Sequence, residues 1–115
     1  MKESTVSEHL QEKLKDPYFK ELYELEQQKY SIVKEIVDYR VKKGITQEQL
    51  AEQVGVSQQH ISKIENGEFS SISTLEKVLL GIGKTVRIKA VALNTRVRNK
   101  IVRAMANRNQ RLQIA

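Results

Sequence analysis

Five side chains between residues 58 and 66 have the types and spacing to read the edges of nucleic-acid bases. If Ser57 opens a helix advancing about 100° per residue, then Gln58, Ser62, Asn66, Gln59 and Lys63 fall within about 140° of one another. That face carries one cation and no carboxylate, while Ile61 and Ile64 fall on the opposite side and Glu65 lies at the border. A glutamine amide can pair with adenine N6 and N7, and a lysine with guanine O6 and N7. Each good pair contributes about 1–3 kcal/mol of discrimination. Such chemistry is recognition, with no bond made or broken. The plain alternative is a solvated helical hairpin, but an ordinary exposed face mixes both signs of charge.

Residues for catalysis are poorly arranged. His9 and His60 are far apart and neither has a metal-ligand or acid-base spacing. His60, at the back of the same helix, is expected to be a half-buried packing residue or a phosphate contact. No serine sits in a nucleophile elbow, the five glycines form no phosphate-binding loop, and the carboxylates are dispersed. The absence of cysteine removes thiolate zinc sites and disulfides. No enzyme activity, catalytic residue, metal or cofactor is therefore expected.

The 115 residues suit one domain. Net charge is +6, but it is divided: residues 1–76 hold ten basic and fourteen acidic side chains, whereas residues 77–115 hold ten basic and none acidic. A polarised chain of this kind suggests an anionic partner at the back, nucleic acid or a membrane surface, and a cationic one at the front. The longest apolar run, Val78 to Ile82, is far shorter than the ~20 residues of a membrane span. A cytoplasmic location is expected, with no membrane partner.

The elements that must position the base-reading face follow from punctuation. Residues 1–15 are polar, with Val6, Leu10 and Leu14 at spacing four, and read as a mobile arm that forms a helix only on a partner. Asp16-Pro17 starts a helix, Asp16 capping and Pro17 giving up an amide that would be unpaired anyway. Residues 16–31 form a helical extension, and the pattern runs on to Lys42-Lys43-Gly44. Thr46-Gln47-Glu48-Gln49 fits a capping box opening a helix with Leu50, Ala51 and Val54 inward, ended by Gly55. The Ser57 helix closes at Asn66-Gly67. A third helix starts at Ser71 or Ser73 with Ile72, Leu75, Val78, Leu79 and Ile82 inward, and Gly83 ends it.

From Thr85 the period changes to two, placing Val86, Ile88 and Ala90 on one buried face of a strand within residues 84–93. A lone strand needs a partner, and the same strand of a second subunit is the expected one. Residues 94–115 are a basic tail in which Val97, Ile101 and Met105 allow an amphipathic helix.

Residues 46–67, TQEQLAEQVGVSQQHISKIENG, have the layout of a helix-turn-helix and resemble that of the lambdoid phage repressors and Cro proteins, the XRE family. With its flanking helices the resemblance covers residues 32–83. It implies an all-α class: a compact five-helix lambda-repressor-like domain, extended here by the N-terminal helix and the C-terminal strand pairing across a dimer. It further implies that Gln47 contacts a phosphate and buttresses Gln58, that Gln58, Gln59 and Lys63 face base edges, and that Ser62 and Asn66 lie near the DNA backbone. Arg40 and Glu65 would form a structural ion pair. The partner implied is double-stranded DNA bearing a palindromic operator, bound by a homodimer. One departure matters: where phage repressors tend to place basic residues, this chain has Glu68, Phe69, Ser70, Ser71 and Ser73. Phosphate contacts must then come from the helix start near Ser71, from Lys42 and Lys43, or from the tail.

A second resemblance is to the HigA-type antitoxins, carried by Asp16, Pro17, Phe19 and Tyr23 before the motif and by Gly83, Lys84, Val86 and Ile88 after it. It implies neutralisation of a small basic toxin, a RelE-like, HigB-like mRNA-cleaving enzyme, and repression of the protein's own operon. Phe19, Leu22, Tyr23, Glu24 and Glu26, with Glu21 and Leu25, would form the docking surface; the alternative is that this helix packs on its own domain. HipB-like antitoxins, which partner a kinase-like toxin, and stand-alone repressors share the central motif.

Overall fold

The computed structural model describes residues 2–114, with side chains over residues 6–107. Met1 and Ala115, the ends of the expected arm and tail, lie outside the described residues. Six helices follow in order: α1 Lys2–Lys13, α2 Pro17–Lys43, α3 Gln47–Val54, α4 Gln58–Glu65, α5 Ile72–Gly81 and α6 Thr95–Ile114. The chain divides into two compact units, one of residues 27–89 and one of residues 1–26 with 90–115.

The unit of residues 27–89 holds the core. Ile36 of α2, Leu50, Ala51 and Val54 of α3, Ile61 and Ile64 of α4, and Leu75, Val78 and Leu79 of α5 are buried together with Ile82. These are the positions that one-sided helical periodicity selects. Ile72 is the exception: expected inward, it is 59% exposed in the first turn of α5. The unit has four helical elements where five were expected, because residues 84–94 form none and α6 belongs to the other unit.

Gly81 sets how closely α5 meets α3. A Cβ added there would overlap Val54 Cγ1 and crowd Val54 Cβ at 3.1 Å. Any side chain at 81 would therefore wedge the two helices apart.

The expected strand is not present: among the described residues there is none. Residues 84–93 run without a ladder because a strand's amides and carbonyls need a neighbouring strand, and the described residues supply no other. Glu76 of α5 holds the segment instead. Its carboxylate accepts from Thr85 Oγ1 at 3.0 Å and from the Val86 amide at 3.4 Å. Val86 packs on the core, but Ile88 is 63% exposed and Ala90 is exposed, so the alternating pattern does not produce a buried face.

The other unit holds α1, the start of α2 and α6. Residues 2–13, expected as a mobile arm, form α1. Leu14 and Pro17, beyond its end, line one cleft with Ala92, Leu93 and Val97. Asp16 Oδ1 accepts from the Tyr18 amide at 3.0 Å and so caps α2. Phe19 and Tyr23 stack with ring centroids 6.2 Å apart, and Lys13 Nζ lies 5.8 Å from the Phe19 centroid. Asn94 caps α6, its Oδ1 accepting from the Val97 amide at 2.8 Å. Among the described residues no apolar side chain of this unit is fully buried. No described helix is long and apolar enough to cross a membrane.

Candidate nucleic-acid interface

The helices α3 and α4 are fixed by short-range hydrogen bonds first. Thr46 Oγ1 accepts from the Gln49 amide at 3.1 Å, and Gln49 Oε1 accepts from the Thr46 amide at 2.8 Å, a reciprocal capping box that starts α3. Gly55 ends α3 with φ of 75°, a left-handed conformation that a side chain would strain. Its carbonyl accepts from Lys77 Nζ at 3.0 Å, placing a cation at the negative end of α3. Ser57 then caps α4, its Oγ accepting from the His60 amide at 3.3 Å.

The far end of α4 is fixed by a buried carboxylate. Glu65 Oε2 accepts from Arg40 Nε at 3.0 Å and Oε1 from Arg40 Nη2 at 2.9 Å, a two-pronged pair joining α4 to α2. The Glu65 side chain is 8% exposed and that of Arg40 21%. Arg40 Nη1 also donates to the Ile45 carbonyl at 3.3 Å, so the same guanidinium holds the link between α2 and α3. Hydrogen bonding to Glu65, aided by its negative charge and opposed by burial, raises the pKa of Arg40.

Gln47 lies at the start of α3. Its Nε2 donates to Glu65 Oε1 at 3.2 Å and not to Gln58. It is half-buried and completes a three-residue cluster tying α2, α3 and α4 together.

Between these two fixed ends, Gln58, Gln59, Lys63 and Asn66 are exposed, and Ser62 is half-buried on the same face. None of the four exposed side chains takes part in a hydrogen bond or ion pair within the described residues. Their polar groups thus keep their full capacity for an outside partner. His60 is exposed and not half-buried; Ser57 Oγ and His60 Nδ1 are 3.0 Å apart, which turns the ring to the helix start.

A small recess lies beside this face, lined by His60, Lys63, Ser70, Ser71 and Thr74. Ser71 caps α5 there, its Oγ accepting from the Thr74 amide at 3.2 Å, and Glu68 also lines the recess. Of the two cations at the end of α2, Lys42 is exposed and Lys43 lies 5.8 Å from the Tyr39 ring centroid.

Lys77, Glu76 and Gly81 are supporting residues that no sequence signal marks, since each acts on a residue of another segment. Their roles depend on the packing of α5 against α3 and on the path of the chain beyond residue 84.

Residues 36–88 match the family described as helix-turn-helix. An uncharacterized HTH-type transcriptional regulator of Haemophilus influenzae (strain ATCC 51907 / DSM 11121 / KW20 / Rd) is 39% identical over 59 residues, which is 50% of this chain. The aligned stretch spans 60% of that relative's length. No solved structure matches the chain.

Proposed function

We propose that the helix-turn-helix of residues 36–88 makes this chain a sequence-specific DNA-binding transcriptional repressor, with α4 entering the major groove. The observation that carries the reading is the row of exposed, unbonded polar side chains on α4, a helix held at one end by Ser57 and at the other by Arg40 and Glu65. Gln58 and Gln59 meet adenine edges, Lys63 meets guanine, and Ser62 and Asn66 approach the sugar-phosphate backbone. Two copies acting as a homodimer would set their α4 helices about 34 Å apart and read a palindrome. The test is binding of the full chain to the region upstream of its own gene. Retention of a specific shift there, lost on an unrelated duplex of equal length, is the expected result; equal binding to both refutes sequence specificity.

The finer reading is a HigA-like antitoxin, and a surface on α2 favours it. Leu22 and Leu25 are 40% and 53% exposed beside exposed Glu21, Glu24 and Glu26. An acidic surface with exposed leucines suits a small basic toxin of the RelE-like, mRNA-cleaving kind better than it suits water. Phe19 and Tyr23, half-buried and stacked, brace the same segment. Co-expression with the product of the neighbouring gene tests this: a complex with a small basic protein supports it, a complex with a kinase-like protein favours the HipB-like arrangement, and no complex leaves a stand-alone repressor.

A further inference from the structure

The helix α6 carries a charge pattern that the base-reading face does not use. Residues 95–114 hold six basic side chains and no acid. Arg96, Lys100 and Arg103 recur at spacings of four and three, which brings them within about 60° of one another on one face. All three are exposed, and none forms an ion pair within the described residues. Val97, Ile101 and Ala104 occupy another face and are half-buried. Like charges one turn apart disfavour a helix in isolation, so a stripe of this kind is best satisfied by an anion outside the chain.

We propose that α6 is a second, sequence-independent DNA contact, in which Arg96, Lys100 and Arg103 neutralise backbone phosphates of duplex DNA. The choice of partner rests on the DNA-binding reading of α4. The stripe is about 10 Å long at the rise of a helix, and a duplex presents a charge about every 1.7 Å of its axis, so three contacts are within reach. An acidic membrane surface is the less suitable partner: binding in a lipid interface requires a broad free apolar face, and with Val97, Ile101 and Ala104 partly covered only Val102 and Met105, 44% and 45% exposed, are open among the described apolar side chains of α6. The proposal also accounts for the acid at Glu68, where the segment after α4 lacks the cations that phosphate binding needs. The two contacts divide the work, α4 supplying preference and α6 supplying affinity.

The test compares the full wild-type chain with the triple variant R96Q/K100Q/R103Q, whose helix content is checked by circular dichroism. Glutamine is a good helix former and removes the like-charge repulsion, so the helix is retained. Binding is measured over a range of salt, by fluorescence anisotropy on the upstream duplex, an unrelated duplex and a single-stranded RNA, and by co-sedimentation with vesicles of phosphatidylglycerol. Three lost phosphate contacts per protomer reduce the slope of log affinity against log salt by about 2.7 for each protomer bound, on both duplexes. A fourfold fall in salt then strengthens wild-type binding more than it strengthens the variant, by a factor of about 40 for each protomer bound. The ratio of affinities for the two duplexes is unchanged. Equal slopes for the two proteins overturn the proposal, as does a wild type that binds neither duplex. A loss confined to vesicles of phosphatidylglycerol, or to single-stranded RNA, also overturns it. If the slope falls but the wild type shows no preference for the upstream duplex, the α6 contact stands and the reading of α4 fails.

Discussion

Arg40 and Glu65, 25 residues apart, meet through hydrogen bonds of 3.0 and 2.9 Å and join the end of α2 to the end of α4. The link places α4, a helix of only eight residues, under control from outside its own sequence. A helix so short is marginal alone; its orientation comes from the Ser57 cap, the two buried isoleucines and this pair.

Replacing Arg40 with leucine leaves the Glu65 carboxylate, 8% exposed, with Gln47 as its remaining partner. The expected loss in urea unfolding is about 3 kcal/mol, toward the low end of buried-pair values because Arg40 is partly exposed. The double change Arg40→Leu with Glu65→Leu removes the stranded charge and loses less than Arg40→Leu alone. A double variant that is the less stable of the two contradicts this account. The raised pKa of Arg40 means that its contribution is complete at every pH below the guanidinium range, so on this side of the pair no neutral-pH dependence is expected.

The close approach of α3 and α5 predicts a cost for Gly81→Ala. The added methyl overlaps Val54 Cγ1, and overpacking of this kind costs about 1–3 kcal/mol. Val54→Ala in the same chain makes room, so the double variant is more stable than the sum of the single losses implies. Strict additivity of the two losses would show that the helices part without strain.

Each cap of the motif has a measurable share. Thr46→Ala breaks the capping box of α3 and Ser57→Ala frees the amide of His60 at the start of α4, each expected to cost about 1 kcal/mol of stability. Thermal melts with unchanged midpoints for both variants contradict this.

Unequal burial predicts unequal opening. All the fully buried apolar side chains among the described residues lie in the unit of residues 27–89, so its amides in α3, α4 and α5 exchange most slowly. Those of α1 and α6 exchange faster, because little apolar burial opposes their opening. Uniform protection along the chain, read by hydrogen exchange, would falsify this ordering.

Local signals in the sequence were the legible ones. Asp16, Thr46, Gln49 and Ser57 cap helices because each acts on an amide two or three residues away, and Leu50, Val54, Ile61 and Ile64 are buried by period alone. Long-range partners were not. Gln47 turns to Glu65 because the carboxylate of α4 lies within reach of the α3 start, a fact of tertiary packing. Gly81 looks like any glycine near a helix end until Val54 is placed against it. Ile88 and Ala90 show strand alternation, yet a period names a face and cannot supply the neighbour that a strand requires. Val6, Leu10 and Leu14 mark only a weak apolar stripe at spacing four, and residues 2–13 form α1 with Val6 68% exposed.

The central claim is that α4 reads base edges through Gln58, Gln59 and Lys63, and substitution profiling tests it most directly. The affinity of the wild type and of Gln58→Ala is measured on the upstream duplex and on a set in which each base pair is changed in turn. The account predicts that the wild type loses about 1–3 kcal/mol at each position directly read, and that Gln58→Ala becomes indifferent at one position of each half-site while keeping its preferences elsewhere. An unchanged profile in Gln58→Ala, with wild-type preference at every position, contradicts the claim.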